Sequence, residues 1–393
     1  MVTAELASIL PHPRTDVSAW HGRPGAVVRL TPPGVRTDTL TFDTTFADAR
    51  GGGTIVTDRV TGRGRRLDAV LAFRARQRRD DLALWTRLGA APVHVVVTGA
   101  SGLIGRQVCA LLTTGGHTVT RLVRRAPGAG EALWDPAAHT LDADALAGAD
   151  AVVHLAGATI AGRFTPEHKR EILASRLDGT TTLAGALTSE GMPRTLIQAS
   201  AIGLYGPRRP GELLTEDAAP GDGFLADVVR EWEDAAAPAV ADGVRTVFLR
   251  TGIVLSAGGG ALEPQLRLFA LGAGGRLTAA DSWMSWIGLD DLARAYVHAL
   301  FAPGLKGPVN AVSPNPVTAS EFARTLGHVL RRPALLPTPA FGPALILGRE
   351  GASELVATDQ RVSPGRLTAS GFVFAQPSLA DALAHAVVRR KRN

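Results

Sequence analysis

One short stretch, Thr98-Gly99-Ala100-Ser101-Gly102-Leu103-Ile104-Gly105, is the strongest indication of how this chain folds. It follows an apolar strand-like run that starts at Val93 and opens a stretch with helical periodicity. Glycines at this spacing are the fingerprint of a dinucleotide-binding turn. Gly99 permits the tight turn, Gly102 lets the backbone approach a pyrophosphate, and Gly105 lets the helix pack closely on the strand. The sequence therefore predicts a Rossmann-type domain in which Gly99 and residues 101–105 contact the cofactor, with helix N–H groups facing its phosphates.

Strand and helix patterns alternate after this stretch, which predicts a parallel sheet with crossover helices. The predicted strands are Val93–Thr98, Thr118–Val123, Ala151–Ala156, Thr195–Ala199 and Thr246–Arg250. The predicted helices are Leu103–Thr114, Thr165–Leu187, Phe224–Ala241 and Asp290–Leu300. The fold class is therefore α/β, a doubly wound Rossmann-type parallel sheet over residues 93–336.

The 393 residues leave room for a unit on each side of this domain. Residues 1–91 are predicted to be a short α+β segment, with β-like stretches at Ala26–Leu30 and Thr39–Phe42, a turn at Gly51–Gly53 and a helical stretch from Leu67 to Leu88. Residues 337–388 are predicted to be a small C-terminal domain with no catalytic residue. Residues 389–393 form a basic tail.

Composition excludes several classes of protein. The 45% hydrophobic and 20% charged content is that of an ordinary globular protein. We expect a cytoplasmic protein without membrane insertion, because the sequence lacks both an apolar run of about 20 residues and a secretory signal. The single cysteine, Cys109, excludes an internal disulfide and a multi-cysteine metal site and is predicted to be a core residue. We predict no metal site.

The net charge of +6 is spread along the chain, with two local concentrations of basic residues at Arg63–Arg79 and Arg389–Arg392. Neither run is interleaved with aromatic residues or part of a known binding motif, so no nucleic-acid partner is predicted. A positive balance still favours an anionic ligand such as a phosphorylated dinucleotide.

The strand after the glycine-rich turn distinguishes between two cofactors. NAD-binding domains place an acidic residue at the end of this strand to hold the ribose hydroxyls. Here the strand ends in Arg124 and Arg125, whose guanidinium groups suit a 2′-phosphate. The sequence therefore predicts NADP(H) as the cofactor.

A third apolar strand ends in the small residues Leu155, Ala156 and Gly157, which would let the backbone run close to the adenosine and the nicotinamide ribose. His154 precedes them. A histidine on an apolar strand is more often packed and hydrogen-bonded than chemically active, and both interpretations stay open here.

Taken together, these stretches resemble the extended short-chain dehydrogenase/reductase superfamily, and within it the SulA-type branch named for nucleoside-diphosphate-sugar epimerases. The resemblance is also carried by Ser175-Arg176, Ser200–Gly206, Leu249–Leu255, Trp286–Asp291, Gly307–Pro314, Leu347-Gly348 and Ala369–Phe374. The last two stretches resemble the small C-terminal domain usual in that branch. Coverage runs from about Val93 to Ala386.

The resemblance implies a proton-transferring Tyr-x-x-x-Lys pair on a helix, in which the lysine lowers the pKa of the tyrosine. The expected positions hold Phe224 and Val228, neither of which can carry a proton. Candidates that remain are Ser200, which ends a strand where relatives bind substrate, and Tyr205, which either reaches the pocket or packs beneath its loop. Asp227 and Glu231 could act as an acid–base pair, with an exposed helix face as the alternative.

The resemblance also implies further cofactor contacts. Arg163 is expected to touch the cofactor phosphates, while Arg176 is expected to pair only within the fold. The backbone from Arg250 to Ile253, which includes Gly252, is expected to approach the nicotinamide amide.

The N-terminal segment resembles the start and the end of a START-like helix-grip domain, with the middle missing. The resemblance is carried by Trp20–Gly25, Arg29–Pro33 and the helix that ends at Arg79–Leu82. About ninety residues is short for such a domain, which leaves its ligand cavity and its independent folding open.

Two interpretations of function stay open. The first is an NADP(H)-dependent oxidoreductase or epimerase that acts on a small-molecule substrate, a nucleotide sugar or another carbonyl compound, which the sequence does not name. The second is a catalytically silent NADPH-binding protein that regulates a partner, which the missing Tyr-x-x-x-Lys pair favours. Ligand binding by the N-terminal segment is a third interpretation, and the segment's length argues against it.

Overall fold

A computed structural model describes residues 2–32, 39–62, 67–334 and 341–388. The predicted basic tail 389–393 lies outside these residues, as do parts of three other predicted features: 63–66 of the first basic run, Pro33 of the START-like motif and 337–340 of the C-terminal domain. Within the described ranges, no helix combines the length and apolar character that a bilayer-spanning helix needs.

A three-stranded antiparallel sheet comes first along the chain. Its strands are β1 (Val2–Leu10), β2 (Leu40–Asp48) and β3 (Thr54–Gly62), paired in the order β1-β3-β2. Its helices are α1 (Arg14–Gly22), α2 (Gly25–Arg29) and α3 (Leu67–Leu88). The long helix α3 packs on β1 and β3 and was predicted with these bounds.

The prediction of a strand at 26–30 was wrong, because these residues form α2. A short apolar run does not distinguish a strand from one buried helical turn, and the choice depends on packing. Here Ala26 and Arg29 are buried and α2 lies against the helix that follows the glycine-rich turn. Strands β1 and β3 were not predicted.

The remaining strands belong to the main sheet and to three small ones. They are β4 (His94–Thr98), β5 (Thr118–Val123), β6 (Glu131–Asp135), β7 (Thr140–Leu141), β8 (Ala151–His154), β9 (Thr195–Ala201), β10 (Arg208–Leu214), β11 (Arg245–Thr251), β12 (Ile253–Leu255), β13 (Trp283–Met284), β14 (Trp286–Gly288), β15 (Gly307–Ala311), β16 (Val317–Thr318) and β17 (Asp359–Val362). The main sheet has 8 strands in the order β15-β11-β9-β8-β4-β5-β6-β7. Its pairs are parallel except β6–β7, which confirms the predicted α/β fold.

Ten helices follow β4. They are α4 (Leu103–Gly115), α5 (Pro166–Leu187), α6 (Phe224–Asp234), α7 (Ala237–Ala241), α8 (Leu262–Ala270), α9 (Leu289–Phe301), α10 (Ala319–Leu330), α11 (Phe341–Leu355), α12 (Gly365–Ala369) and α13 (Leu379–Ala386). The prediction of one helix over 224–241 was wrong, because the chain breaks between α6 and α7. Pro238 in the first turn of α7 has no N–H to continue a helix.

The C-terminal residues share their core with the main sheet. Strand β17 pairs in parallel with β10, and Leu367 and Phe372 are buried in the same cluster as Val97 and Leu111. Cys109 packs against this cluster, as predicted, and burial raises the pKa of its thiol to about 12.

Buried ion pairs join the N-terminal helices to the rest of the molecule. Asp81 of α3 accepts hydrogen bonds from Arg29 at 2.8 Å and from Arg294 at 2.9 Å. Asp290 accepts from Arg29 at 2.7 Å and lies 2.7 Å from Nε2 of His385. Burial alone would raise the pKa of Asp290, but Arg29 and His385 hold it well below its usual range. The network therefore connects α2, α3, α9 and α13.

Candidate functional site

The glycine-rich turn between β4 and α4 leaves no room for side chains. Gly99 has φ +65°, and a Cβ there would lie 2.6 Å from the carbonyl carbon of Leu155. A Cβ on Gly105 would overlap the carbonyl oxygen of Gly99, and one on Gly102 would lie 3.2 Å from the same oxygen. Gly102 begins α4, and no described side chain caps that helix end. The first N–H groups of α4, from Leu103 and Ile104 onward, are therefore available to an anion.

Thr98 fixes the position of the neighbouring strand end. Its hydroxyl accepts hydrogen bonds from the N–H groups of Leu155 at 3.0 Å and Ala156 at 3.1 Å. The same oxygen lies 2.7 Å from Nδ1 of His154. The sequence analysis did not predict this role of Thr98, although a polar residue at the end of an apolar strand could have indicated it. The hydrogen bonds to Thr98 hold the segment that leads to Gly157 close to the glycine-rich turn.

His154 is completely buried, and burial together with Arg176 lowers the pKa of its imidazole to about 3. The structure therefore favours the interpretation of His154 as a packed, hydrogen-bonded residue over a chemical role. Arg176 likewise pairs within the fold: it donates to the carbonyls of Ala158 and Ile172 and lies over the ring of Trp232.

The two arginines at the end of β5 have different surroundings. Arg125 forms an ion pair with Glu131 of β6, with 2.8 Å between Nη1 and Oε2. The Gly128 N–H and Arg125 hold the pKa of Glu131 below its usual range. Arg124 is exposed and has no hydrogen-bond or ion-pair partner among the described residues. Sequence reasoning found no acid on β5 itself and missed the one that the neighbouring strand supplies.

Ser200 lies at the carboxyl end of β9 but does not face open space. It is 4% exposed, and its hydroxyl donates to Oε1 of Glu233 at 2.5 Å. The same carboxylate accepts two hydrogen bonds from Arg250, at 2.9 and 2.7 Å. Ser200 is therefore one member of a buried polar cluster.

Tyr205 belongs to the same cluster. It is 0% exposed, its hydroxyl donates to Oδ1 of Asn310 at 2.7 Å, and it accepts from Arg250 at 3.1 Å. Burial raises the pKa of its phenol. This is the arrangement in which Tyr205 packs beneath its loop.

Gly252 and Ile253 are held tightly by neighbouring backbone. The Gly252 N–H donates to Ala311 at 3.2 Å and the Ile253 N–H to Ser285 at 2.9 Å. A Cβ on Gly252 would lie 2.7 Å from the Ser285 oxygen. Neither of these two N–H groups is therefore free to donate to a ligand.

Arg163 follows β8 and donates to the carbonyl of Leu345 on α11 at 2.6 Å. The C-terminal helix α11 therefore lies against the loop where the cofactor phosphates were expected. Its path bends at Gly348, which has φ 75°.

Helix α11 also brings a carboxylate that sequence reasoning missed. Oε2 of Glu354 accepts a hydrogen bond from the N–H of Leu225 at 3.4 Å, in the first turn of α6. This is the turn that starts with Phe224, where the resemblance led us to expect the tyrosine. Burial raises the pKa of Glu354. No local signal could have revealed this contact, because the partners are 129 residues apart.

Other charged side chains also lie on or near the first turns of α6. Lys169 pairs with Glu350 of α11, and its ammonium lies 4.9 Å from the centre of the Phe224 ring. Asp227 and Glu231 are exposed on the outer face of α6, and Asp227 pairs with Arg230 at 2.6 Å. Their alternative interpretation as surface carboxylates therefore fits the structure. No group of histidines, cysteines or carboxylates suited to a metal ion occurs in the described part of the chain.

Comparison with known proteins agrees with this geometry. The NAD dependent epimerase/dehydratase family matches residues 95–310, and a domain of unknown function, DUF1731, matches residues 338–386. The epimerase family protein Mb2239 of Mycobacterium bovis is 40% identical over 297 residues, which are 75% of this chain and 98% of that protein.

Two solved structures are similar over most of their length. A nucleoside-diphosphate sugar epimerase from Corynebacterium glutamicum has a TM-score of 0.81 at 33% identity, covering 98% of this chain and 90% of that one. Human epimerase family protein SDR39U1, solved with NADPH, has a TM-score of 0.69 at 35% identity, covering 75% of this chain and 99% of that one. These matches confirm the resemblance to short-chain dehydrogenases/reductases, and the chain belongs to the NAD dependent epimerase/dehydratase family.

Proposed function

We propose that this protein is an NADP(H)-dependent oxidoreductase or epimerase-like enzyme that acts on a small carbonyl compound or a nucleotide sugar. The observation that carries the proposal is the glycine-rich turn with an unpaired arginine, Arg124, at the end of the next strand. The pairing of a human relative with NADPH supports the same cofactor.

The residues present suit a phosphorylated dinucleotide. The open amino end of α4 would hold the pyrophosphate, and Leu155, Ala156 and Gly157 would lie along the nucleoside. Arg124 would bind the 2′-phosphate. Arg125 contributes less, because it is already paired with Glu131, a carboxylate that it shares with Arg121. Arg163 would reach a phosphate only by leaving the carbonyl of Leu345.

The first prediction concerns cofactor choice. NADPH is expected to bind at least ~10-fold more tightly than NADH, and Arg124→Glu is expected to abolish the difference, because it replaces an attractive charge by a repulsive one. Titration followed by nicotinamide fluorescence measures both affinities. Arg324→Glu, the same change at an exposed position of α10, is the matched control and should leave the NADPH affinity unchanged.

Equal binding of NADPH and NADH by the unmodified protein would contradict the choice of NADP(H). Binding of neither would reduce the Rossmann domain to a scaffold.

Glu354 is the best-placed group to exchange a proton in this site. When bound, the cofactor supplies or accepts the hydride. Phe224 and Val228 cannot transfer a proton, whereas the Glu354 carboxyl lies at the first turn of the same helix and is partly protonated at higher pH than an ordinary glutamate. The ion pair between Lys169 and Glu350 supplies the charges next to this carboxyl.

The second prediction tests this role. Carbonyl reduction is expected to slow as the pH rises through the raised pKa of Glu354, because the protonated acid disappears. Glu354→Gln should lower kcat by about tenfold and remove that pH step; water limits the loss because the carboxyl is only half-buried. Glu231→Gln, on the exposed face of α6, is the control. An unchanged rate and pH profile for Glu354→Gln would refute the role.

The alternative function, a silent NADPH-binding regulator, is favoured by the state of the two hydroxyls predicted to be catalytic. That Ser200 or Tyr205 donates a proton to substrate remains a prediction. Ser200 would first have to break its hydrogen bond to Glu233, and Tyr205 its hydrogen bond to Asn310. Tight NADPH binding without oxidation by any member of a carbonyl and nucleotide-sugar panel would select this alternative.

A further inference from the structure

The N-terminal segment contains a cavity that is separate from the glycine-rich turn. It is a partly open cavity of about 310 Å³ lined by residues on or next to helices α1, α2 and α3 and strand β2. Its walls include the apolar residues Ala26, Leu30 and Phe42, and its polar lining includes His21 and Arg74. The volume lies at the lower end of the range of roughly 300–1,000 Å³ found for small-molecule pockets.

Positive charge beside this cavity is not fully balanced. Arg74 and Arg78 share one carboxylate, Asp58, at 3.4 and 3.0 Å, and all three are buried. Thr44 donates its hydroxyl to the same carboxylate at 2.6 Å. Burial, together with both arginines, lowers the pKa of His21 to about 4, so this residue is neutral near pH 7. One buried positive charge therefore lacks a counter-ion among the described residues.

Polar atoms of the same groups are also unused. Nε of Arg74, a donor, and Nε2 of His21, which donates in one of the two neutral tautomers, are buried without a partner. The remaining contacts of Arg74 are long, 3.5 Å to the carbonyl of Leu30 and 3.4 Å to Asp58, and its guanidinium lies 4.3 Å from the centre of the Phe42 ring. A buried donor without a partner destabilises the folded protein, and more so when it is charged. An anion that accepts from Arg74 would remove this cost.

We propose that the cavity binds a small amphipathic carboxylate, with its carboxylate at Arg74 and His21 and its short hydrocarbon chain against Ala26, Val27 and Leu30. The apolar walls distinguish this ligand from a simple inorganic anion. The Arg74 guanidinium, which shares its only carboxylate partner among the described residues with Arg78, distinguishes it from a neutral apolar molecule.

The experiment is a calorimetric titration of the full chain with octanoate, octanol and inorganic phosphate, each in the absence of NADPH. Octanoate is expected to bind at least ~10-fold more tightly than octanol or phosphate. Arg74→Met should remove the preference for octanoate over octanol. Val27 is 73% exposed at the cavity wall, so Val27→Glu leaves the core intact and should weaken octanoate binding by at least ~10-fold through charge repulsion.

Val240→Glu, at an exposed valine of α7, is the matched control and should bind octanoate like the unmodified protein. Equal binding of octanoate and octanol, equal binding of phosphate, no binding at all, or full octanoate affinity in Val27→Glu would each overturn the proposal. The Val27 variant keeps the test decisive if Arg74→Met fails to fold. None of these outcomes depends on whether the glycine-rich turn binds NADPH.

Discussion

Asp81→Ala is expected to lower the free energy of unfolding by about 3–5 kcal/mol, because it removes the carboxylate that two buried guanidinium groups share. Arg29 makes two hydrogen bonds of 2.8 Å to Asp81, and Arg294 makes one of 2.9 Å. Gln77 donates to the same carboxylate at 3.0 Å. Every side chain in these ion pairs is at most 1% exposed, so water cannot take the place of the lost carboxylate.

Urea denaturation measures this loss. Asp68→Ala, at an exposed position in the first turn of the same helix, is the matched control and should cost less than about 1 kcal/mol. A loss below about 1 kcal/mol for Asp81→Ala would mean that the ion pairs do not hold the N-terminal helices on α9. Because Asp81 links α2, α3 and α9, the variant should also make the N-terminal segment more sensitive to protease than the main sheet.

Gly105→Ala is expected to weaken NADPH binding by at least ~100-fold, or about 2.7 kcal/mol. The added Cβ would overlap the carbonyl oxygen of Gly99 and lie 2.9 Å from Cα of Ala100, both of which are backbone. The start of α4 must therefore move away from the end of β4, and the N–H groups that face the pyrophosphate move with it.

The matched control is Gly185→Ala on α5. Nothing lies within 4 Å of a Cβ at that position, so the change should leave NADPH affinity intact and raise stability by roughly 0.5–1 kcal/mol through helix propensity. Fluorescence titration measures the affinities of both variants. An affinity of Gly105→Ala within about tenfold of the unmodified protein would show that the turn adapts and does not define the site.

In the N-terminal segment, sequence patterns predicted the secondary structure only in part. Its long helix was predicted, but a one-turn helix was taken for a strand and two of its strands were missed. The similarity to the Corynebacterium glutamicum structure covers 98% of this chain, so the N-terminal segment must lie largely within the similar region. The boundaries at residues 91, 336 and 388 and the START-like origin of the segment remain predictions.

Sequence alone determined the glycine-rich turn and the α/β class of this protein. Both depend on spacing within one short stretch or on alternation along the chain, and physical constraints on a tight turn act on consecutive residues. The placement of Arg124 and Arg125 at the end of β5 also depended only on residues that are consecutive in the sequence.

Only the tertiary structure decided which charged side chains already have a partner and which are free to bind a ligand. Glu131 forms an ion pair with Arg125 because β6 pairs with β5, and Glu354 reaches α6 across 129 residues because α11 folds back over the site. Arg29 meets Asp290 across 261 residues. Such contacts are set by strand order and helix packing, which no local spacing encodes, and they determine the charge, burial and hydrogen bonding on which the chemistry depends.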